Sequence, residues 1–250
     1  MADSVTSPLN VSLIMLGSCS IKTAHTKRVG VALLAVSLVQ VVGMIHHPVA
    51  HGASQEMRVA EIAEMGALSS LVHGAMVFAA VVVWVLLGEF SAWRRETPLT
   101  RIAGRVYTLG IVAMVLAGLV NGFVASDFSA DAVRVGGSVA ASAPAMLAYG
   151  FSFNHALAVF GVLALSGGIA AWSMDLLRSG FHRTARLSGG YGLLASGGTC
   201  VALSTGLVGV GVEGMSAIVI AHALWYAAIG WLMIHGDRVH VKKDKDESSV

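Results

Sequence analysis

The chain has 250 residues, 56% of them hydrophobic and only 12% charged, with a mean hydropathy of +0.76. A soluble domain of this size carries roughly 25% charged residues, so this chain lacks the polar surface to cover a water-facing fold. Its formal net charge of +2 is too small to suit a nucleic-acid partner, and the lipid bilayer is the expected one. Long unbroken apolar runs select helices, because in lipid every backbone polar group must be paired within the segment or a closed barrel. The fold class expected is an all-α integral membrane bundle of about six transmembrane helices within residues 29–234.

Residues 1–28 read as an N-terminal extension. Its short apolar piece at 11–17 is too short to span, and no basic region precedes it as in a cleaved signal. The first span, 29–45, ends in His46-His47-Pro48, and an outer loop follows over 46–66. In that loop Val59, Ile62, Ala63 and Met65 recur at helical spacing against Glu56, Glu61 and Glu64, as in a short helix lying on the surface. The second span, 67–90, carries His73, and the third, 106–126, carries Gly118 and Gly122 four residues apart, a spacing that lets helix backbones approach. A second outer loop, 127–146, is rich in small residues and reads as an irregular cap.

The fourth span, 147–177, carries His155 and is long enough to tilt. The fifth, 187–212, is glycine-rich and joins the sixth, 215–234, with almost no loop; the sixth carries His222. Residues 235–250 form a charged tail. The stretch from His73 to Phe78 resembles that from His155 to Phe160, as parallel two-helix repeats would. Cys19 and Cys200 do not imply a disulfide framework.

Orientation follows from the lysines and arginines. Of the 16, 14 fall on one side of the six-span arrangement, and only Arg58 and Arg134 on the other. The expectation is a protein of the bacterial inner membrane with both termini cytoplasmic.

The second, fourth and sixth spans run in the same direction. His73, His155 and His222 lie six, eight and seven residues into them, about 9–12 Å deep at ~1.5 Å per residue. His46 and His47 end the first span at the same face. A polar side chain in hydrocarbon is costly and normally faces the bundle interior, so imidazoles at one depth suggest a shared site. Imidazole suits copper, zinc, iron and nickel and serves as an axial haem ligand. The function expected is therefore a small redox or metal-binding protein, with His73, His155 and His222 holding a haem b or a copper ion and His46 and His47 as further metal ligands. A quinol or a periplasmic electron carrier would be its partner. Soft thioethers such as Met44, Met76 and Met215 lie in the same half and would favour copper. Ser69 or Ser70, Ser152, Tyr149, Asn121, Asn154, Asp127 and Glu213 are candidates to support the ligands. Two other readings fit the same residues: a transporter or metal-ion permease, and a cofactor-free assembly protein whose histidines tie helices together. The chain contains no phosphate-binding loop, no CxxC or HExxH and no nucleophile elbow.

Overall fold

The structure, a computed structural model, describes residues 8–179 and 183–236. Among them every regular element is helical: α1 (Pro8–Ile45), α2 (Gln55–Glu64), α3 (Gly66–Trp93), α4 (Pro98–Leu119), a π-helical turn (Val120–Val124), α5 (Ala125–Val135), α6 (Gly137–Arg178), α7 (Arg183–Ser204) and α8 (Val212–His235). The charged tail beyond residue 236, His182 and His240 lie outside the described residues.

Among the described residues, five helical stretches are long and apolar enough to cross a membrane: Thr23–Ile45, Gly66–Trp93, Pro98–Val135, Gly137–Arg178 and Val212–His235. Helix α7 stands where the fifth span is expected. It falls short in hydropathy because Arg183, Arg186 and the glycines at 189, 190, 192, 197 and 198 dilute its apolar residues.

Local signals in the sequence set several helix ends. The Ser54 hydroxyl accepts from the Met57 amide and caps α2, which forms where its apolar spacing places it. Thr97 caps α4 in the same way, with Pro98 in its first turn. Two loops differ from expectation. The segment 127–146 is helical and not an irregular cap: α4 continues through the π turn into α5, and only Gly136 and Gly137, both at positive φ, separate α5 from α6. Alanine and serine are compatible with a helix, and glycine supplies the break. Conversely, α7 stops at Ser204, where Gly206 at φ +72° follows, so a seven-residue link (205–211) precedes α8.

The long helices close a ring in which α1 packs on α3 and α8, α4 on α3 and α6, and α7 on α6 and α8. Helix contacts in the ring include backbone-to-backbone ones. A Cβ on Gly30 would meet the Gly230 carbonyl at 2.5 Å, and one on Gly230 would meet the Gly30 carbonyl at 2.6 Å. Likewise a Cβ on Gly110 would meet the Leu165 amide nitrogen at 2.7 Å and the Gly161 carbonyl at 2.9 Å. The α3–α4 turn is tied to α6 by Arg94, whose Nη2 and Nε donate to Asp175 Oδ2 at 2.9 and 3.1 Å, and by Thr97, whose hydroxyl donates to Asp175 Oδ1 at 2.7 Å. This clamp holds Arg95 and Glu96 at positive φ in the turn. Nearby, Trp172 stacks on Trp225 with ring centroids 6.1 Å apart and donates to Ser91.

Gly110→Val is expected to cost about 1–3 kcal/mol through overpacking, read as a lowered unfolding midpoint by circular dichroism in detergent. Gly190→Ala, with nothing within 4 Å of the new Cβ, should leave the midpoint unchanged or slightly raise it.

Candidate metal-binding chamber

At the end of the ring bearing α2 and α5, the helices spread around a chamber of about 250 Å³ lined from α1, α3, α4, α6 and α8. Helix α7 contributes nothing to it. Three histidines face the chamber (His47, His73 and His222), as do the thioethers Met44, Met76, Met114 and Met215 and the amides Gln40, Asn121 and Asn154. Its far end is closed by Tyr107 and Tyr226, whose hydroxyls are 2.8 Å apart. A second cavity of about 360 Å³, here called the vestibule, lies between α2, the start of α6 and the 46–54 linker. His47, His73 and Asn121 line both cavities and so form the partition between them. No Asp or Glu lines either one among the described residues.

His73 is the fixed member of the partition. It is buried, and its Nδ1 lies 2.8 Å from the Ser69 carbonyl one turn earlier. A carbonyl can only accept, so the proton sits on Nδ1 and Nε2 presents its lone pair. That orientation, with the remote nitrogen held by a backbone carbonyl, is the one metal-ligating histidines usually have. The π turn sets the opposite wall. Its extra residue turns Asn121 so that Nδ2 donates to His73 Nε2 at 3.0 Å. Gly122 lies against the His73 side chain so closely that any Cβ there would overlap it. Ser70 and Ser126 donate to the Gly122 carbonyl at 3.1 and 3.4 Å, satisfying an acceptor in the turn. π turns are rare and gather at functional sites.

His47 reaches the partition from the linker after α1. Its Nε2 stands 3.1 Å from His73 Nε2, with the two rings nearly edge to face at 71°. The pair cannot be fully satisfied by protons alone. If His47 carries its proton on Nε2, it donates to His73 and its own buried Nδ1 has no hydrogen-bond partner. If the proton is on Nδ1, on the side of the Pro48 backbone, two lone pairs face each other at 3.1 Å. Burial, and then the neighbouring His73, lower the His47 pKa below the ordinary 6.5, against a smaller opposing effect of the Pro48 backbone. Neutral imidazole is the form that binds metal.

The remaining expected residues divide. His222 is buried in the chamber wall, its Nε2 3.2 Å from the Ser166 hydroxyl. His155 is exposed and lines neither cavity, so the three span histidines at one depth do not converge. Residues one apart on a helix differ by about 100° in direction, and here it is Asn154 that faces inward, its Oδ1 buried without a hydrogen-bond partner. His46 is exposed as well. Among the supporting groups, Ser69 and Asn121 contact His73, whereas Ser152 bonds back to the Ala148 carbonyl and Tyr149, Asp127 and Glu213 are exposed. Among the described residues no three His, Cys, Asp or Glu side chains gather closely enough to hold one ion, so any set of three or more ligands must draw on methionine or asparagine. Compared with known proteins, the chain matches no family model, no curated protein and no solved structure.

Gly122→Ala is expected to displace His73, seen as a shift of its imidazole nitrogens in histidine-labelled NMR spectra and as a lowered unfolding midpoint. Because the folded pKa of His47 lies below its unfolded value, its neutral form contributes stability that is full above pH 6.5 and falls as pH drops through that value. Unfolding midpoints measured across that range should decline less steeply in His47→Gln than in the parent chain.

Proposed function

We propose that this protein binds a copper ion at the partition between chamber and vestibule, with His47 and His73 as its nitrogen ligands and chamber methionines as soft ligands. The observation that carries this reading is the pair of Nε2 atoms 3.1 Å apart, with the His73 tautomer fixed so that its Nε2 lone pair is presented at that point. Two imidazoles on one tetrahedral ion, each at about 2.0–2.1 Å, set their nitrogens about 3.3 Å apart, so the pair needs only a few tenths of an ångström. Thioethers beside imidazoles, with no carboxylate in the lining, favour copper(I) over hard divalent ions. A haem fits poorly: imidazoles on opposite faces of an iron need a macrocycle between them, and ring centroids 4.7 Å apart and edge to face leave no plane for one.

A bound copper ion supplies one-electron chemistry, and its partner would be a quinol or a periplasmic carrier at the outer face. The finer topology belongs to the same proposal. Helix α7 completes six crossings despite its glycines, and both termini are cytoplasmic in a bacterial inner membrane, supported by the 14-to-2 division of lysine and arginine. The permease reading is the weaker one. The chamber's far end is closed by the Tyr107–Tyr226 pair, and neither cavity has the carboxylates that would draw a cation through.

The test is copper(I) titration of the protein in lipid nanodiscs against a competing chelator, with metal content measured on the same sample. One equivalent should bind, and His47→Ala and His73→Ala should each weaken binding at least about tenfold, which is ~1.4 kcal/mol. His46→Ala and His155→Ala should leave it unchanged. A folded sample that retains no copper, or one for which His155→Ala is as damaging as His73→Ala, refutes the assignment and leaves the cofactor-free assembly role.

A further inference from the structure

The vestibule has features the copper reading does not use. Its walls are apolar, with Ile62 of α2 and Leu147 and Phe151 of α6 among them. Its floor is the polar partition. Its rim carries Arg58, exposed and oriented by a hydrogen bond from Nε to the Gly52 carbonyl at 2.9 Å. That bond uses one of five guanidinium donors. Arg58 and Arg134 are the two basic residues expected on this face, and they differ in one respect. Arg134 donates to Asp131 at 2.7 Å, whereas Arg58 makes no ion pair among the described residues. Of the acids nearest in sequence, Glu56 is exposed and makes no ion pair with it among the described residues, and Glu61 is engaged elsewhere: its Oε2 accepts from the amides of His51 and Gly52 at 2.6 and 2.9 Å. Those same bonds shape the linker that delivers His47.

A cavity of about 360 Å³ lies within the range of small-molecule sites, which are mostly apolar with a few placed polar groups. Among the lining residues Arg58 is the one charged side chain and none is acidic, so an anionic group of a ligand has a guanidinium to pair with at the mouth. Guanidinium suits a carboxylate through paired donors, and the apolar walls suit a hydrocarbon body.

We propose that the vestibule binds a small organic carboxylate, its anionic group on Arg58 and its apolar body against Ile62, Leu147 and Phe151. This site stands independently of the copper reading, since it needs no metal. It also abuts His47 and His73, so an occupant would cover the outer approach to the partition.

The experiment is saturation-transfer NMR with phenylacetate on metal-free protein in nanodiscs, with empty nanodiscs as the background for partition into lipid. Saturable binding is expected, weakened at least tenfold in Arg58→Gln and unchanged in Arg134→Gln. Ala148→Trp, a change at an exposed residue of the vestibule wall, should abolish it by filling the cavity while circular dichroism confirms the fold. Phenylacetamide, which lacks the charge, should bind at least tenfold more weakly. The proposal is overturned if the signal matches that of empty nanodiscs, if phenylacetamide binds as well as phenylacetate, or if Arg58→Gln and Arg134→Gln behave alike.

Discussion

Three pairs of helices in this protein meet backbone to backbone, α1 with α8 at Gly30 and Gly230, α4 with α6 at Gly110 and Gly161, and α6 with α7 at Gly189, and the ring is built on those contacts. Lipid gives helices no hydrophobic reason to associate, so small residues that bring backbones into van der Waals range supply much of the attraction. Helices drawn together toward one end must diverge toward the other unless large side chains fill the gap. Here the converging end is sealed by the Trp172–Trp225 stack and the buried Arg94–Asp175 pair. The diverging end is filled only partly, by methionines, amides and histidines.

What makes that space more than a packing defect is its polarity. A dry apolar void needs no polar lining, and a buried acceptor left unpaired costs about 1–3 kcal/mol. The chamber contains such an acceptor, Asn154 Oδ1, and a histidine pair that proton placement cannot satisfy. The groups around it are neutral and soft rather than acidic. That combination favours retention of a soft cation over passage of a hard one, since conduction needs a route through, and the tyrosine pair closes it.

Much of the architecture can be read from the sequence, because apolar length and turn chemistry are local properties. The helix α2 and the positions of most long helices follow directly. Depth in the membrane is also local, since it needs only a count from the helix end. Direction around the helix axis is not, and this separates His73 from His155. Counted from the expected span starts the two share a level, yet one is buried and the other exposed, which also weakens the resemblance between the segments that follow them. The π turn has no sequence signature beyond Gly122, whose need for a missing Cβ becomes clear only against His73. Helix α7 falls short of the hydropathy expected of it because of its glycines, of which Gly189 and Gly192 serve contact with α6 and α8, Gly192 meeting Ser173 and Trp225.

The two partition histidines differ in how they are held. His73 is fixed by a helix, a backbone carbonyl and the wall of the π turn. His47 precedes Pro48, and a residue before proline is driven out of the helical region. The same restriction ends α1 at Ile45 and sends His47 inward while leaving His46 exposed. One histidine is therefore held rigidly, and the other rides on a linker tied by the Glu61 and Arg58 bonds to residues 51 and 52 and by its own amide bond to the Met44 carbonyl. A site made this way can open by moving the linker alone, with no change in helix packing. Since Arg58 both holds that linker and faces the vestibule, whatever binds at the rim acts on the same few bonds that position His47.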